Sequence, residues 1–284
     1  MATVDPDAEN EARRILDITE GFMKSQILFT SFKLGVFDLL DTSEAPMTAV
    51  RIAEAIRTDT DATKRLLNAC AGLGLLQKVN VDKETGDGWY QLTKASREFL
   101  TSSSPTNMGD SVKIRASFYQ SPWGHLQRAL EEGPASVRRQ NQDNIGDNFK
   151  ILFSNKTFMG AMAAMVTIFG ARTASAFDLS EFKRICDIRG DFFQDPLPPA
   201  DLYVVCRILH DWAEDKILTL LTKMHDSLPP GGGVLIVEHM LDDDKTGPEV
   251  AHNFDLSMLL MGAGRERSGR EFKRLLIMVG FKEW

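Results

Sequence analysis

Residues 201–238 read DLYVVCRILHDWAEDKILTLLTKMHDSLPPGGGVLIVE, and this stretch decides the fold. DLYVVCRIL is an apolar run of strand length. Ile217, Leu220, Leu221, Met224 and Leu228 then recur at the helical period, PPGGG stops the helix sharply, and VLIVE makes a second apolar run. Strand, helix, glycine turn and strand form a βαβ unit of a parallel sheet. Upstream, RICDI (184–188) is a further short strand. Ligands of such sheets bind at the carboxyl ends of the strands, and those ends carry Asp187, His210, Asp211 and Glu238.

The first part of the chain has a different pattern. Residues 11–40 read as helix, with Ile15, Ile18 and Phe22 on one helical spacing and Leu16, Met23 and Ile27 on another. An apolar surface that wide needs burial on more than one side, part of which a second subunit can supply. Thr48 is placed to cap a short helix carrying Ile52 and Ile56, and TDTD opens another with Leu66, Leu67, Cys70 and Leu73. QKVNV and GWYQL, joined by DKETGDG, read as a hairpin. Helices followed by a hairpin give the order of a winged helix, which closes near Thr101. The expected domains are therefore 1–104, winged-helix-like, and 105–284, α/β.

Composition removes several functional classes. The 284 residues carry a net charge of −7 and a pI near 5.3, so the chain as a whole has no pull toward nucleic acid or an anionic membrane. At the recognition-helix position of the winged helix only Lys64 and Arg65 are basic, too few for phosphate contact. Cys70, Cys186 and Cys206 form neither a disulfide framework nor a metal spacing. The start, MATVDPDAENEARR, has no apolar signal core, and the longest apolar stretch, Phe158–Ala171, suits a buried helix better than a bilayer span of about 20 residues. A cytoplasmic protein is expected.

His210, just past an apolar strand, is a candidate general base, since an imidazole titrates near pH 6.5. The other reading is a capping or packing histidine. Glu238 ends the next strand, and Glu266 lies in GRERS after a Met- and Leu-rich helix. A carboxylate beside an imidazole orients it and favours the imidazolium; each glutamate taken alone also reads as a solvated element end. His125, His225, His239 and His252 show no metal-ligand spacing, and no metal site is expected. There is no G-x-G-x-x-G, no P-loop and no G-x-S-x-G, and the glycines at 231–233 close a helix instead of opening one.

The order GDFF (190–193), DPLPPADLYVVCRILHDW (195–212), LPPGGGVLIVE (228–238) and GRERS (264–268) resembles the small-molecule O-methyltransferases dependent on S-adenosylmethionine, of the acetylserotonin (hydroxyindole) type, related to the plant phenolic enzymes. GFMKSQILFTSFKLGVFDLL, SPWGHL and TASAFDLS extend the resemblance along nearly the whole chain. It implies an N-terminal winged-helix dimerisation domain and a C-terminal Rossmann-like methyltransferase domain. It implies methyl transfer from S-adenosylmethionine to the hydroxyl of a small indole or phenol such as N-acetylserotonin. By this resemblance His210 is the base, flanked by Glu238 and Glu266. Asp187, Gly190, Asp191, Phe192 and Arg207 contact the cofactor, while Asp211, Ser257 and Met261 face the substrate. The implied partner is a second copy, or a complete family member in a heterodimer.

The chain also departs from that pattern. Asp187-Ile188 runs directly into Arg189-Gly190-Asp191, where the family has a glycine-rich loop, a helix and further strands; one βαβ unit takes roughly 30 residues. The domain is thus expected to be incomplete, lacking the cofactor loop and, after GFKEW, a final strand pair. A rival reading follows: an impaired, truncated or spliced family member that acts only as a dimerising subunit.

Overall fold

A computed structural model describes residues 6–133, 155–188, 190–261 and 264–282. Two compact units emerge. The first holds the described residues up to Ser117 with the start of a later helix, through Phe169; the second holds the described residues from Phe118 to 133 and from Gly170 onward.

In the first unit, α1 spans Pro6–Lys33 and α2 Val36–Thr42. The single helix expected over 11–40 is therefore two. Gly35 sits at φ 74, a left-handed conformation that glycine adopts without a Cβ penalty, and it reverses the chain. Strand β1 (Met47–Thr48) leads into α3 (Ala49–Ile56), capped by the Thr48 side chain, and α4 (Thr60–Gly72) is capped by Asp59, whose Oδ1 accepts from the Ala62 amide at 2.8 Å. β2 (Leu76–Val79) and β3 (Trp89–Leu92) form the expected hairpin, in an antiparallel sheet ordered β1-β3-β2. Helices α5 (Lys94–Leu100) and α6 (Gly109–Ile114) follow. Val36, Phe37, Ile52, Leu67, Leu76 and Tyr90 fill the core of this winged helix. Lys64 pairs with Asp87 and Arg65 with Asp61, so both basic side chains at the recognition-helix position are already neutralised.

Among the described residues, the apolar surfaces of α1 and of a later helix stay uncovered. On α1, Ile18 is 74% and Phe22 64% exposed, with Ile15, Leu16 and Met23 also open. After the short helices α7 (Gln120–Trp123) and α8 (Leu126–Glu132), helix α9 runs from Lys156 to Ala174. The sequence predicts a buried helix here, and the structure corrects this. Only Phe158, Ala161 and Ala164 are buried; Val166 is 60% exposed, and Met159 and Phe169 are open too. By length and composition α9 also meets the requirement for a bilayer span. Its apolar residues surround the helix instead of forming one stripe, so packing one side leaves the other bare.

The second unit is built on a parallel sheet of β4 (Ile185–Asp187), β5 (Leu202–Cys206) and β6 (Gly233–Val237), in that order. Helix α10 (Glu214–Ser227) makes the expected crossover from β5 to β6. No helix lies in the described part of residues 188–201, which join β4 to β5. Parallel neighbours usually need a helical crossover of a dozen or more residues, and here an irregular segment spans the distance. Tyr203 Oη donates to the Pro198 carbonyl at 2.7 Å and ties that segment to the sheet. Helix α11 (Glu249–Met261) and helix α12 (Gly269–Met278) complete the unit. Ser268 and Glu271 form a reciprocal cap on α12, whose Phe272, Leu275 and Leu276 enter the core beside Val205, Leu209, Ile217 and Leu220.

Candidate active site

Strand β5 ends earlier than its apolar run. Arg207 adopts φ 55, which stops the ladder, and Leu209–Asp211 form one tight helical turn. His210 therefore lies on a turn and not on a strand. The cause is visible in the backbone: the turn aims the amides of Ile208, Leu209 and His210 at one point. Glu238, just past β6, fills it, its Oε1 accepting from them at 3.0, 2.8 and 3.4 Å. Successive amides of this kind make an anion-holding nest.

The other oxygen of Glu238 holds the histidine. His210 Nδ1 lies 2.7 Å from Glu238 Oε2, and Nε2 lies 3.3 Å from Asp211 Oδ1. With Nδ1–H donating to the Glu238 carboxylate, Nε2 carries the lone pair. Burial works against a charged His210, but the Glu238 hydrogen bond and the charges of Asp211 and Glu238 outweigh it, and its pKa rises above 6.5. Burial pushes Asp211 up to about 6. Burial also opposes the charge on Glu238, yet the His210 hydrogen bond and the nearby cations hold it below the usual carboxylate value. Glu266 is raised by burial, against the pull of Arg207.

Glu266 arrives from the turn after α11. Asp255 Oδ1 accepts its backbone N–H at 2.8 Å, and a Cβ on Gly264 would lie 1.7 Å from the His210 carbonyl oxygen, so the approach requires glycine. The structure thus brings His210, Glu238 and Glu266 together, with one potential ligand atom from each inside 4.8 Å. That spacing alone suits a cation, but the oxygens are taken. Arg207 Nη1 sits on one oxygen of each glutamate, and the amide nest takes the remaining oxygen of Glu238. Only Glu266 Oε2 is open.

Other predicted residues are placed as follows. Asp211 is beside His210. Ser257 is buried on α11 with its hydroxyl turned back to the Asn253 carbonyl, and Met261 packs near Trp123 and Leu126. Asp187 and Phe192 line a cavity of about 210 Å³ with Ile188, Asp195 and Pro198. Gly190 (φ 82) opens the turn in which Asp191 Oδ1 accepts from the Gln194 amide at 3.2 Å. Arg207, expected at the cofactor, points instead into the acid pair. Sequence reading missed Arg267, buried and bonded to the Leu209 and Trp212 carbonyls, and Lys223, whose ammonium holds the carbonyls of Phe192, Phe193 and Asp195. It also missed Phe254, which stacks on His239 and lies under Arg207.

The O-methyltransferase domain family matches residues 188–282, and the O-methyltransferase dimerisation domain family matches residues 16–102. Acetylserotonin O-methyltransferase of Homo sapiens is 32% identical over 333 aligned positions, covering 98% of this chain and 94% of that protein. The chain belongs to the S-adenosylmethionine-dependent O-methyltransferases. The Gallus gallus acetylserotonin enzyme is 30% identical, over 95% of this chain and 92% of its own length. The crystal structure of human N-acetylserotonin methyltransferase in complex with S-adenosylmethionine matches with a TM-score of 0.88 at 30% identity, covering 100% of this chain and 94% of that one.

Alignment with the human enzyme is longer than this O-methyltransferase itself: it spans 333 positions but takes in 98% of the 284 residues here, so roughly 55 positions of the relative have no counterpart in this chain. The methyltransferase match begins at residue 188, where β4 runs straight into the irregular segment. The family's cofactor can be tested against what is present. A recess of Ile188, Phe192 and Pro198 with the Asp187 and Asp195 carboxylates has the chemistry for an aromatic base and ribose hydroxyls. At about 210 Å³ it is smaller than the roughly 300–1,000 Å³ of sites that enclose a whole small ligand. Among the described residues no helix follows β4 before β5, so the chain offers no helix N-terminus directly after β4 for the carboxylate of the amino-acid end. The described residues fit one end of the cofactor and include no such helix for the other.

Proposed function

We propose that this protein transfers a methyl group to the hydroxyl of a small indolic or phenolic acceptor, such as N-acetylserotonin, with His210 as general base. The observation that carries the reading is the buried imidazole fixed through Nδ1 by Glu238, which leaves Nε2 as the proton acceptor. A phenolic hydroxyl has a pKa of about 10, so its oxygen is a poor nucleophile until the proton leaves. His210 takes that proton as the oxygen attacks, and Glu238 stabilises the imidazolium that forms. S-adenosylmethionine supplies an electrophilic methyl group on sulfonium. Asp187 and the Gly190–Phe192 stretch are the residues for its adenosine end, and Asp211, Ser257 and Met261 are the substrate-side residues. Product analysis with millimolar cofactor checks the acceptor class. Hydroxyindoles and simple phenols should gain one O-methyl group while the matched compounds without a hydroxyl gain none; methylation at nitrogen or carbon would overturn the reading.

We also propose a homodimer formed through the first unit. The support is the uncovered apolar surface of α1 around Ile18 and Phe22 and of α9 around Val166, together with the dimerisation-domain match. At on the order of 10 µM, light scattering should give twice the monomer mass. Phe22→Glu should lower it, and a monodisperse wild-type monomer would contradict the proposal.

A further inference from the structure

The resemblance assigns Arg207 to the cofactor, but its guanidinium is committed elsewhere. One nitrogen, Nη1, lies 3.2 Å from Glu238 Oε2 and 3.1 Å from Glu266 Oε1, and neither glutamate side chain has any exposure. Glu238 Oε2 is the same oxygen that meets His210 Nδ1. The guanidinium carbon stands 5.0 Å from the centroid of the Phe254 ring, which is itself stacked on His239. Its left-handed backbone begins the turn that carries the three amides of the Glu238 nest. Arg207 is thus held from both sides and set between two buried acids and the base they flank.

We propose that Arg207 is a positioning residue for the His210 base, acting through the Glu238–Glu266 pair. Two buried carboxylates this close need a neighbouring cation, and without Arg207 that role falls to a protonated His210, which can no longer accept a proton from the substrate. Arg207 keeps both acids ionised and its charge disfavours a second cation on His210. The charged and titratable groups that interact with His210 are Asp211 from its own turn, Glu238 and His239 after β6, Glu266 after α11, and Arg207 itself. The inference rests on His210 being the base, but its test does not depend on turnover.

The experiment follows the His210 imidazole by ¹⁵N NMR against pH in the full chain, in wild type, Arg207→Gln, Arg207→Lys and Glu266→Gln. In Arg207→Gln the His210 midpoint should rise by about one pH unit, tenfold in proton affinity. Because a single nitrogen makes both acid contacts, the lysine ammonium should return most of that shift. Glu266→Gln removes an anion and should lower the midpoint, which keeps the proposal testable if Arg207→Gln does not fold. An unmoved His210 midpoint in a folded Arg207→Gln or Glu266→Gln chain would overturn the proposal, and so would an Arg207→Lys midpoint equal to that of Arg207→Gln. Failure of the base assignment has a separate signature: it appears as activity retained without His210.

Discussion

Titrated into the unmodified 284-residue chain, S-adenosylmethionine is expected to bind at least about a hundredfold more weakly than it binds a relative carrying the complete cofactor segment. The recess beside Asp187 and Phe192 is proposed for one end of the molecule, while among the described residues no helix follows β4 to offer its N-terminal amides to the charged amino-acid end. A hydrogen bond to a charged group contributes about 1.5–3 kcal/mol, and each 1.4 kcal/mol is tenfold in affinity. Loss of two such contacts gives the hundredfold, and loss of three takes a micromolar ligand into the millimolar range. Adenosine, which needs only the surviving recess, should lose far less of its affinity. Trp212 packs edge-on against Phe192 and Phe193, so its fluorescence reports occupancy of that recess, and calorimetry measures the affinities. Saturable binding of S-adenosylmethionine in the low micromolar range would mean that another segment replaces the missing loop.

Much of this was legible in the residues because it depends on local pattern. Thr48 and Asp59 cap the helices they precede, the hairpin pairs as its alternation requires, and PPGGG ends α10 before β6. The order of GDFF, HDW and GRERS carried the family, and the gap after Asp187 is a property of the sequence alone. Less legible were features set by contacts between distant residues. Nothing local to CRILHDW says that Arg207 takes a positive φ; the reason is Glu238, thirty-one positions on, which needs three amides aimed at one oxygen. The same holds for Arg207 turning to Glu266 and for Lys223 holding the GDFF turn. The exposure of α9 was misread for another reason: an apolar composition says that burial is needed, not which surface provides it.

The second large effect concerns the base. His210→Ala should reduce methyl transfer by about 10²–10⁴, the usual contribution of a general base, with little change in cofactor affinity. The pH dependence has a definite sign. His210 must be neutral to accept a proton, and its pKa lies above 6.5 in the presence of Glu238, Asp211, Glu266, Arg207 and His239. The wild-type rate should therefore rise with pH through a midpoint above 6.5, and that limb should vanish in His210→Ala. Stability runs the other way. For a histidine whose folded pKa is raised, the linked stabilisation is fully present below about 6.5 and is lost as pH rises through the folded value. Denaturant midpoints should thus fall over the range in which the rate climbs, and the His210→Ala chain should lack that slope.

The proposed base site is intact, whereas the proposed cofactor site keeps, among the described residues, only one end. The initial rate of methyl transfer to N-acetylserotonin, measured against S-adenosylmethionine concentration from micromolar to millimolar for wild type and His210→Ala together, tests both halves at once. The predicted result is a wild-type rate that still climbs in the millimolar range and a His210→Ala rate near the blank throughout. A wild-type curve that saturates at low micromolar cofactor, or a His210→Ala chain that keeps most of the wild-type rate, would contradict it.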